Sequence, residues 1–282
     1  MIKHRRFIYA ILALLILIAM ISSCSSSNDL VSKSALRGYE NNFVTRINTQ
    51  FSGSLIPFSF LVAEWNFDDC SGSDSSGNGY DLVASGDFAE RCIDGVIGNG
   101  ATVVSQAPTF TCVHVPVIPE IGNSSKLIFS FFFRFRNYQL FHPHGTALFS
   151  FGQGTTVGYP FFGVFFYPIS TSEGPAVNMA LRYENRAYGR GSNGGEFDSW
   201  SQWTTISDTD YHSVVILVDT SANTATISID DSYLDEIPID SDFAYLGTTP
   251  GFLGAHEWWY GSTSCYGRAT VDLDEFRISK LW

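Results

Sequence analysis

The stretch that decides the fold is residues 269–278, ATVDLDEFRI, near the end of the 282-residue chain. Apolar and polar residues alternate over the first half of this stretch. The phase then slips, because Phe276 and Ile278 continue the apolar series on the opposite parity. Alternation predicts a half-buried β-strand, and a slip of one residue predicts a β-bulge. Asp274 and Glu275 lie at the slip, so the predicted bulge would re-aim a carboxylate.

A second acidic turn, residues 74–79 (DSSGNG), lies near the start of the apolar part of the chain. The two features together predict a closed β-sandwich whose first and last strands are neighbours, an arrangement that a shared cation would stabilise. The segment Lys126–Arg136 predicts the clearest strand between them, since alternate residues from Leu127 to Phe135 are all apolar. The sequence therefore predicts an all-β, two-sheet antiparallel sandwich. Its further predicted strands are Ala147–Phe151, Phe161–Tyr167, Val177–Tyr183, and a hairpin of Ser213–Asp219 with Thr224–Asp230.

Residues 1–23 predict a secretion signal. Three basic residues precede an apolar run at residues 7–21, which suits a signal peptide and is short for a membrane span. The residues that lead to Cys24 resemble the bacterial lipobox, in which the cysteine is lipidated. An ordinary signal peptide or an uncleaved anchor are the alternatives. We expect a polar tether at residues 24–60, a folded domain at residues 61–282, and a lipid-anchored protein of the cell envelope, at the outer membrane or cell surface.

The charge of the chain argues against nucleic acid as a partner. The formal net charge is -12, and it becomes -15 without residues 1–23, which carry three Lys or Arg and no Asp or Glu. Phosphate binding needs clustered Lys and Arg. We therefore expect membrane contact only through the lipid.

Four cysteines follow Cys24. They are Cys70, Cys92, Cys112 and Cys265. An even number of cysteines in an exported chain favours disulfides. Three connectivities are possible, and we favour Cys70–Cys92 together with Cys112–Cys265. No spacing of Cys and His indicates a zinc site.

Seven motifs, in order along residues 62–282, resemble the LamG-like jelly-roll family of the concanavalin A-like lectin/glucanase superfamily. The resemblance implies a jelly-roll β-sandwich. Two details depart from the family pattern, since Tyr211 replaces a Trp and Asp231-Ser232 replaces an Asp-Gly turn. The segments Phe135–Gly154 and Tyr183–Trp203 are longer than the family minimum, and such insertions are loops that carry function. The motifs are AEWNFDD (63–69), DSSGNG (74–79), GVIGNGA (95–101), LIFSFFFRFR (127–136), YHSVVILVD (211–219), TATISIDDS (224–232) and LDEFRIS (273–279).

The resemblance also implies a structural Ca²⁺ between the N-terminal turn and the last strand. Ca²⁺ binds oxygen ligands, and Asp74, Asn78 and Asp274 are the candidates to supply them. The alternative is that these are turn residues that cap backbone amides.

Aromatic clusters are the candidates for sugar binding, because the C–H faces of sugar rings stack on aromatic rings. The candidate residues are Trp200, Trp203, Trp258, Trp259 and Tyr260. Core packing is the alternative for each, and one of the adjacent pair Trp258 and Trp259 is expected to point inward. The predicted partner is a glycan or glycoprotein surface.

No catalytic residue is predicted. The chain lacks the ExDxxE-like strand by which related glucanases place their acid and nucleophile, and it lacks the GxSxG and P-loop motifs. His212 lies where the family uses a structural residue. We therefore expect a non-catalytic, surface-anchored carbohydrate-binding or adhesion module. The alternatives are a divergent polysaccharide-degrading enzyme and a structural envelope lipoprotein without a glycan ligand.

Overall fold

The structure is a computed structural model that describes residues 59–84, 91–104, 113–136, 146–152, 160–185, 197–254, 256–257, 263–264 and 270–281. Two antiparallel sheets pack face to face, which confirms the predicted all-β sandwich. The strands are β1 (Ser59–Trp65), β2 (Val83–Ala84), β3 (Cys92–Asp94), β4 (Asn99–Val104), β5 (Val113–Val115), β6 (Lys126–Arg136), β7 (Thr146–Gly152), β8 (Pro160–Thr171), β9 (Gly174–Asn185), β10 (Phe197–Trp200), β11 (Thr204–Ile206), β12 (His212–Asp219), β13 (Thr224–Ile229), β14 (Ser232–Pro238), β15 (Gly251–Leu253), β16 (His256–Glu257), β17 (Thr263–Ser264) and β18 (Thr270–Leu281).

The first sheet has the strand order β14-β13-β12-β6-β18-β4-β3, and β1 also pairs with β18. The second sheet has the order β10-β9-β8-β7-β15-β5-β2, and β11 also pairs with β9. Strands β16 and β17 form a separate two-stranded hairpin. A short helix, α1 (Pro119–Asn123), and a 3₁₀ helix (Ser241–Thr248) complete the described elements. Within the described residues, no helix has the length and apolar character that crossing a membrane requires.

The first and last strands are neighbours, as the sequence predicted. Strand β1 runs antiparallel to β18, and Trp65 lies opposite Phe276. The predicted bulge is also present, since the pairing of β18 with β6 shifts register between Asp274 and Arg277. Glu275 adopts a left-handed backbone with φ of 51° at this point. The bulge turns the side chain of Phe276 toward the core. There its ring stacks on that of Phe131 in β6, with the ring centres 5.1 Å apart.

The apolar face predicted for β6 fills the space between the sheets. Its five alternate apolar side chains are buried, and the ring of Phe129 lies 5.6 Å from that of Phe149 in the second sheet. Each large apolar side chain buried in this way contributes about 1.5–3 kcal/mol of hydrophobic stabilisation. The predicted hairpin is confirmed as well, with Asp219 opposite Thr224 where β12 meets β13.

One of the two favoured disulfides is confirmed. Cys70, in the turn that follows β1, is bonded to Cys92 in β3, with a Cα–Cα distance of 5.2 Å. The bond therefore ties the turn after the first strand to the edge of the first sheet. Cys112, Cys265 and the predicted lipidation residue Cys24 lie outside the described residues.

Candidate functional site

The outer face of the second sheet carries a cluster of aromatic side chains, which we call the aromatic platform: Phe165, Tyr167, Trp200 and Trp203. Alternate residues of β8 face the core, so Phe165 and Tyr167 face outward. Trp200 pairs with the outward-facing Arg182 of β9 and also points outward.

Trp200 and Trp203 share this face because the chain contains one extra residue between them. Trp200 lies opposite Arg182, and Thr204 lies opposite Met179. The four residue positions from Trp200 to Thr204 therefore match only three positions along β9. A bulge of this kind inverts the alternation. Without it, two residues three positions apart in a strand would point to opposite faces.

Ser201 holds this bulge in place. Its backbone N–H donates to the carbonyl oxygen of Leu181 at 2.9 Å. Its hydroxyl oxygen accepts the N–H of Leu181, also at 2.9 Å. The hydroxyl thus substitutes for the carbonyl that a regular ladder would provide, and the backbone of β9 remains hydrogen-bonded.

The rings of the platform form a connected surface. The indoles of Trp200 and Trp203 lie 5.1 Å apart, with an angle of 30° between their planes. Tyr167 meets Trp203 edge-on at 4.9 Å, and Phe165 lies 5.6 Å from Trp200. Phe165 is only 3% exposed, whereas Trp200 is 36% and Trp203 39% exposed. Phe165 is therefore the buried base beneath the solvent-exposed indole of Trp200, and Tyr167 is the ring that supports Trp203.

Arg182 supports the platform from below. Its guanidinium carbon lies 4.4 Å from the centre of the Trp200 ring, a cation–π contact that fixes the indole. The same guanidinium binds Glu184 at 2.7 Å and forms two hydrogen bonds to Asp198, at 2.9 and 3.0 Å. Arg182 and Glu184 are buried, and Asp198 is partly exposed. The support is therefore a rigid, fully ion-paired cation.

Polar groups lie beside the rings. Thr205 donates its hydroxyl to the side-chain oxygen of Asn178 at 2.8 Å, and Asn178 is within 3.5 Å of the Tyr167 hydroxyl. The backbone N–H of Gln202, the residue before Trp203 in the sequence, donates to Asp235 at 2.7 Å. An exposed apolar surface with hydrogen-bonding groups at its edge suits a ligand that has both apolar and hydroxyl surfaces.

The structure brings together two of the five predicted sugar-binding residues, Trp200 and Trp203. Trp258, Trp259 and Tyr260 lie outside the described residues. Sequence reasoning missed Arg182. The sequence pattern that could have indicated it is the pair Arg182 and Glu184. These two charged residues lie two positions apart, so they share the outward face of a largely apolar strand.

Asp74 and Asn78, two of the predicted metal ligands, hold the first turn against β1. Asp74 accepts backbone N–H groups from Glu64 at 3.0 Å, Ser76 at 2.9 Å and Tyr80 at 3.0 Å. Burial raises the pKa of Asp74, but the hydrogen bonds outweigh burial and the pKa is lowered overall. The Asn78 amide donates to the carbonyl of Val62 at 2.9 Å.

Asp274, the third predicted ligand, lies at the bulge of β18 and is fully buried. Its Oδ2 accepts the N–H groups of Val96 at 2.7 Å and Ile97 at 3.0 Å. Its Oδ1 and the Oε1 of Glu275 are buried without a hydrogen-bond partner. Burial raises the pKa of Asp274 to about 6 and that of Glu275 to about 7.

The orphaned oxygens of Asp274 and Glu275 fit a cation in their chemistry, because Ca²⁺ prefers carboxylate oxygens. Asp274 and Asp74 hold different turns, which are linked through Glu64 and Arg277. Asp74 accepts the N–H of Glu64, and the Glu64 carboxylate binds Arg277 at 2.5 Å. Within the described part of the chain, no group of three or more His, Cys, Asp or Glu side chains is arranged to hold a metal. Calcium stays a prediction.

His212 connects two turns at one end of the first sheet. Its Nδ1 lies 2.7 Å from Asp230, and its Nε2 lies 2.8 Å from Asp208. Burial lowers the pKa of His212, but the two carboxylates outweigh burial and raise it overall. Both ring nitrogens are engaged, so the geometry gives this histidine the role of a clamp between turns.

Comparisons with known proteins find similar folds among solved structures only. No protein-family model matches the chain, and no curated protein matches it. Solved structures do match. The binding domain of Paraclostridial Mosquitocidal Protein 1 is 16% identical, with a TM-score of 0.50 over 78% of this chain and 49% of that chain. The binding domain of Botulinum Neurotoxin DC in complex with SialylT is 12% identical, with a TM-score of 0.50 over 79% and 48%.

Domain 4 of AbnA, a GH43 extracellular arabinanase from Geobacillus stearothermophilus in complex with arabinotriose, is 16% identical, with a TM-score of 0.43 over 79% of this chain and 93% of that chain. The chain spans about half the length of the two toxin domains. At these identities the likeness concerns the fold alone. The chain has the architecture of an all-β, two-sheet antiparallel sandwich.

Proposed function

We propose that this chain is a non-catalytic carbohydrate-binding or adhesion module that holds glycans on the aromatic platform and is anchored at the cell surface through a lipid on Cys24. The observation that carries the proposal is the pair Trp200 and Trp203. Two indoles, each more than one third exposed, lie 5.1 Å apart on the outer face of the second sheet.

A chain gains little stability from leaving two indoles in water, so a bulge that turns both outward is better explained by a ligand. Sugar rings present C–H faces that stack on indoles, and their hydroxyls need nearby hydrogen-bonding groups. Asn178, Thr205 and Asp198 supply such groups. Since Arg182 fixes Trp200 before any ligand binds, the ligand would not bear the cost of ordering that ring.

The test is binding to a panel of neutral and acidic polysaccharides, measured by affinity electrophoresis with the full chain. Trp200→Ala and Trp203→Ala should each weaken binding about 2- to 10-fold, because one aromatic stacking contact contributes about 0.5–1.5 kcal/mol. Tyr245→Ala is the matched control, since Tyr245 is also exposed but lies on the 3₁₀ helix. It should bind as the wild type does.

Two results would favour the other functions. A panel on which nothing binds would favour a structural envelope lipoprotein. Release of reducing ends from a polysaccharide, abolished by one carboxylate substitution, would favour a polysaccharide-degrading enzyme. In the geometry of the platform, Glu184 and Asp198 are both held by Arg182, which is a poor arrangement for an acid and a nucleophile that must act on opposite sides of a glycosidic bond.

A further inference from the structure

The charged side chains next to the aromatic platform include more carboxylates than cations. Within the described part of the chain, the cation in contact with the platform is Arg182, and two carboxylates, Glu184 and Asp198, bind it. A third carboxylate, Asp235, accepts a hydrogen bond from the residue beside Trp203. The excess is negative, as it is in the whole chain, whose formal net charge is -12.

From this charge arrangement we infer that the aromatic platform selects uncharged sugar rings and rejects glycans that carry carboxylate or sulfate groups. The inference rests on the proposed function, because it concerns the ligand of the same site. It narrows the ligand class from glycans in general to neutral glycans.

The first reason is that Arg182 is already committed. Only 7% of its side chain is exposed, the indole of Trp200 covers its guanidinium at 4.4 Å, and Asp198 holds it through two parallel hydrogen bonds. An acidic ligand would have to displace one of these carboxylates. A displaced Glu184 would lose its ion pair with Arg182 while it remains buried, which is unfavourable.

The second reason is the negative electrostatic field that Asp198 produces above the rings of the platform. Asp198 is 37% exposed in its side chain, so its negative charge reaches the solvent beside Trp200. Like charges placed together across an interface suppress the wrong partner, and an acidic surface lowers the local concentration of anions. A carboxylate on a sugar ring stacked on Trp200 would face this repulsion.

The third reason is that the edge of the platform suits hydroxyl groups. Ionised Asp198 only accepts hydrogen bonds, so it binds donors. Sugar hydroxyls are donors, whereas ionised uronic acid and sulfate groups are acceptors alone. A neutral ring therefore meets stacking and hydrogen bonding together at this site, and an acidic ring meets stacking with repulsion.

The experiment compares matched pairs. Each neutral polysaccharide that the full chain binds is prepared also with its C6 hydroxymethyl groups oxidised to carboxylates, and alginate and polygalacturonate are included as natural acidic polysaccharides. We expect binding to the oxidised form to be at least 10-fold weaker at 50 mM salt. The gap should narrow at 500 mM salt, because salt screens repulsion between exposed charges. Asp198→Asn should raise the ratio of acidic to neutral binding.

The outcomes separate this inference from the proposed function. Binding of an acidic polysaccharide as tight as its neutral partner, and weakened about 2- to 10-fold in Trp200→Ala, would overturn the inference and leave the glycan site in place. If the ratio of acidic to neutral binding does not change in Asp198→Asn, the assignment of the repulsion to Asp198 is overturned. Neutral binding that is unaffected by Trp200→Ala, or no binding to any polysaccharide, would overturn both proposals.

Discussion

Asp274→Asn should lower the stability of the protein in calcium, and it should leave the stability unchanged or raise it in chelator. In the absence of a cation, the ionised Asp274 carboxylate is buried, with one oxygen that has no partner. Its pKa of about 6 lies about two units above the ordinary value of 3.8. One unit corresponds to about 1.4 kcal/mol, so the buried charge destabilises the fold by about 3 kcal/mol at pH 7.

Asparagine removes that charge and keeps a carbonyl oxygen for the N–H groups of Val96 and Ile97. It also buries an amide NH₂ with no partner, at a cost of about 1–3 kcal/mol. The variant in chelator should therefore be as stable as the wild type or up to about 2 kcal/mol more stable. This corresponds to a rise in melting temperature of up to roughly 8 °C.

In calcium the order should reverse. If Asp274 is a ligand, calcium at a hundredfold excess over its dissociation constant stabilises the wild type by about 2.7 kcal/mol. The variant loses that gain. Asp74→Asn is the matched variant, because its carboxylate accepts three backbone N–H groups. It should be less stable in chelator as well as in calcium.

The assay is thermal melting followed by circular dichroism at pH 7, with 1 mM chelator or 5 mM calcium, run oxidised and reduced. Reduction matters because a disulfide stabilises the fold without metal. Reduction breaks the Cys70–Cys92 bond and also the predicted Cys112–Cys265 bond, if that is present. A wild-type melting temperature indifferent to calcium in both redox states would leave Asp274 as a bulge residue. A marked loss of stability of Asp274→Asn in chelator would refute the argument from the buried charge.

Three further predictions concern other parts of the chain. The raised pKa of His212 means that its clamp stabilises the fold fully below the unfolded pKa of about 6.5 and loses this contribution as pH rises through the folded pKa. The melting-temperature gap between wild type and His212→Gln should therefore shrink between pH 6 and pH 9, and a constant gap would contradict it. Asp231→Gly should stabilise the fold by up to about 1 kcal/mol in denaturant titrations. Asp231 has φ of 63°, a backbone that costs an L-residue about 1–2 kcal/mol, and glycine removes this strain at an entropic cost of about 0.5–1 kcal/mol. Its neighbour Asp230→Gly should destabilise it, since Asp230 binds His212 and caps the N–H of Ser213. Cys24→Ala should release the chain from membranes on fractionation, because acyl chains give membrane affinity of about 0.8 kcal/mol per CH₂, and a cleaved variant that stays with the membrane would contradict this.

The parts of the fold that the sequence predicted well are those in which local pattern and burial agree. Residues 127–135 alternate without interruption, and they form a central strand whose apolar side faces the other sheet. Asp274 and Glu275 were predicted at a bulge because the apolar series visibly changes parity there. At Asp231-Ser232 the sequence departs from the Asp-Gly turn of the family pattern. The structure resolves it as a two-residue turn in which Asp230 and Asp231 both have positive φ, of 48° and 63°, a backbone that aspartate tolerates better than most residues.

The platform was only half predicted because its geometry depends on one extra residue between Trp200 and Trp203. This residue does not produce a visible shift in an alternating apolar pattern. The residues around Trp200 and Trp203 include no long apolar series whose phase would reveal an inserted residue. The partner strand also lies earlier in the chain, since Trp200 pairs with Arg182, which is 18 positions before it. The aromatic composition pointed to the two tryptophans, but the face they share and the cation beneath them became evident only from the pairing of β10 and β11 with β9.

The position of the platform in the sheet follows from the same insertion. A bulge disrupts the hydrogen-bond ladder on both sides of a strand, so it is tolerated best where a strand has one neighbour. Among the strands that the structure describes, β10 and β11 pair only with β9. Ser201 restores the two hydrogen bonds at Leu181 that the extra residue would otherwise interrupt. The edge of the second sheet can therefore take up the extra residue without a second ladder to repair. A central strand such as β6, paired on both sides, could not present two neighbouring indoles in this way without leaving backbone groups of two other strands unpaired.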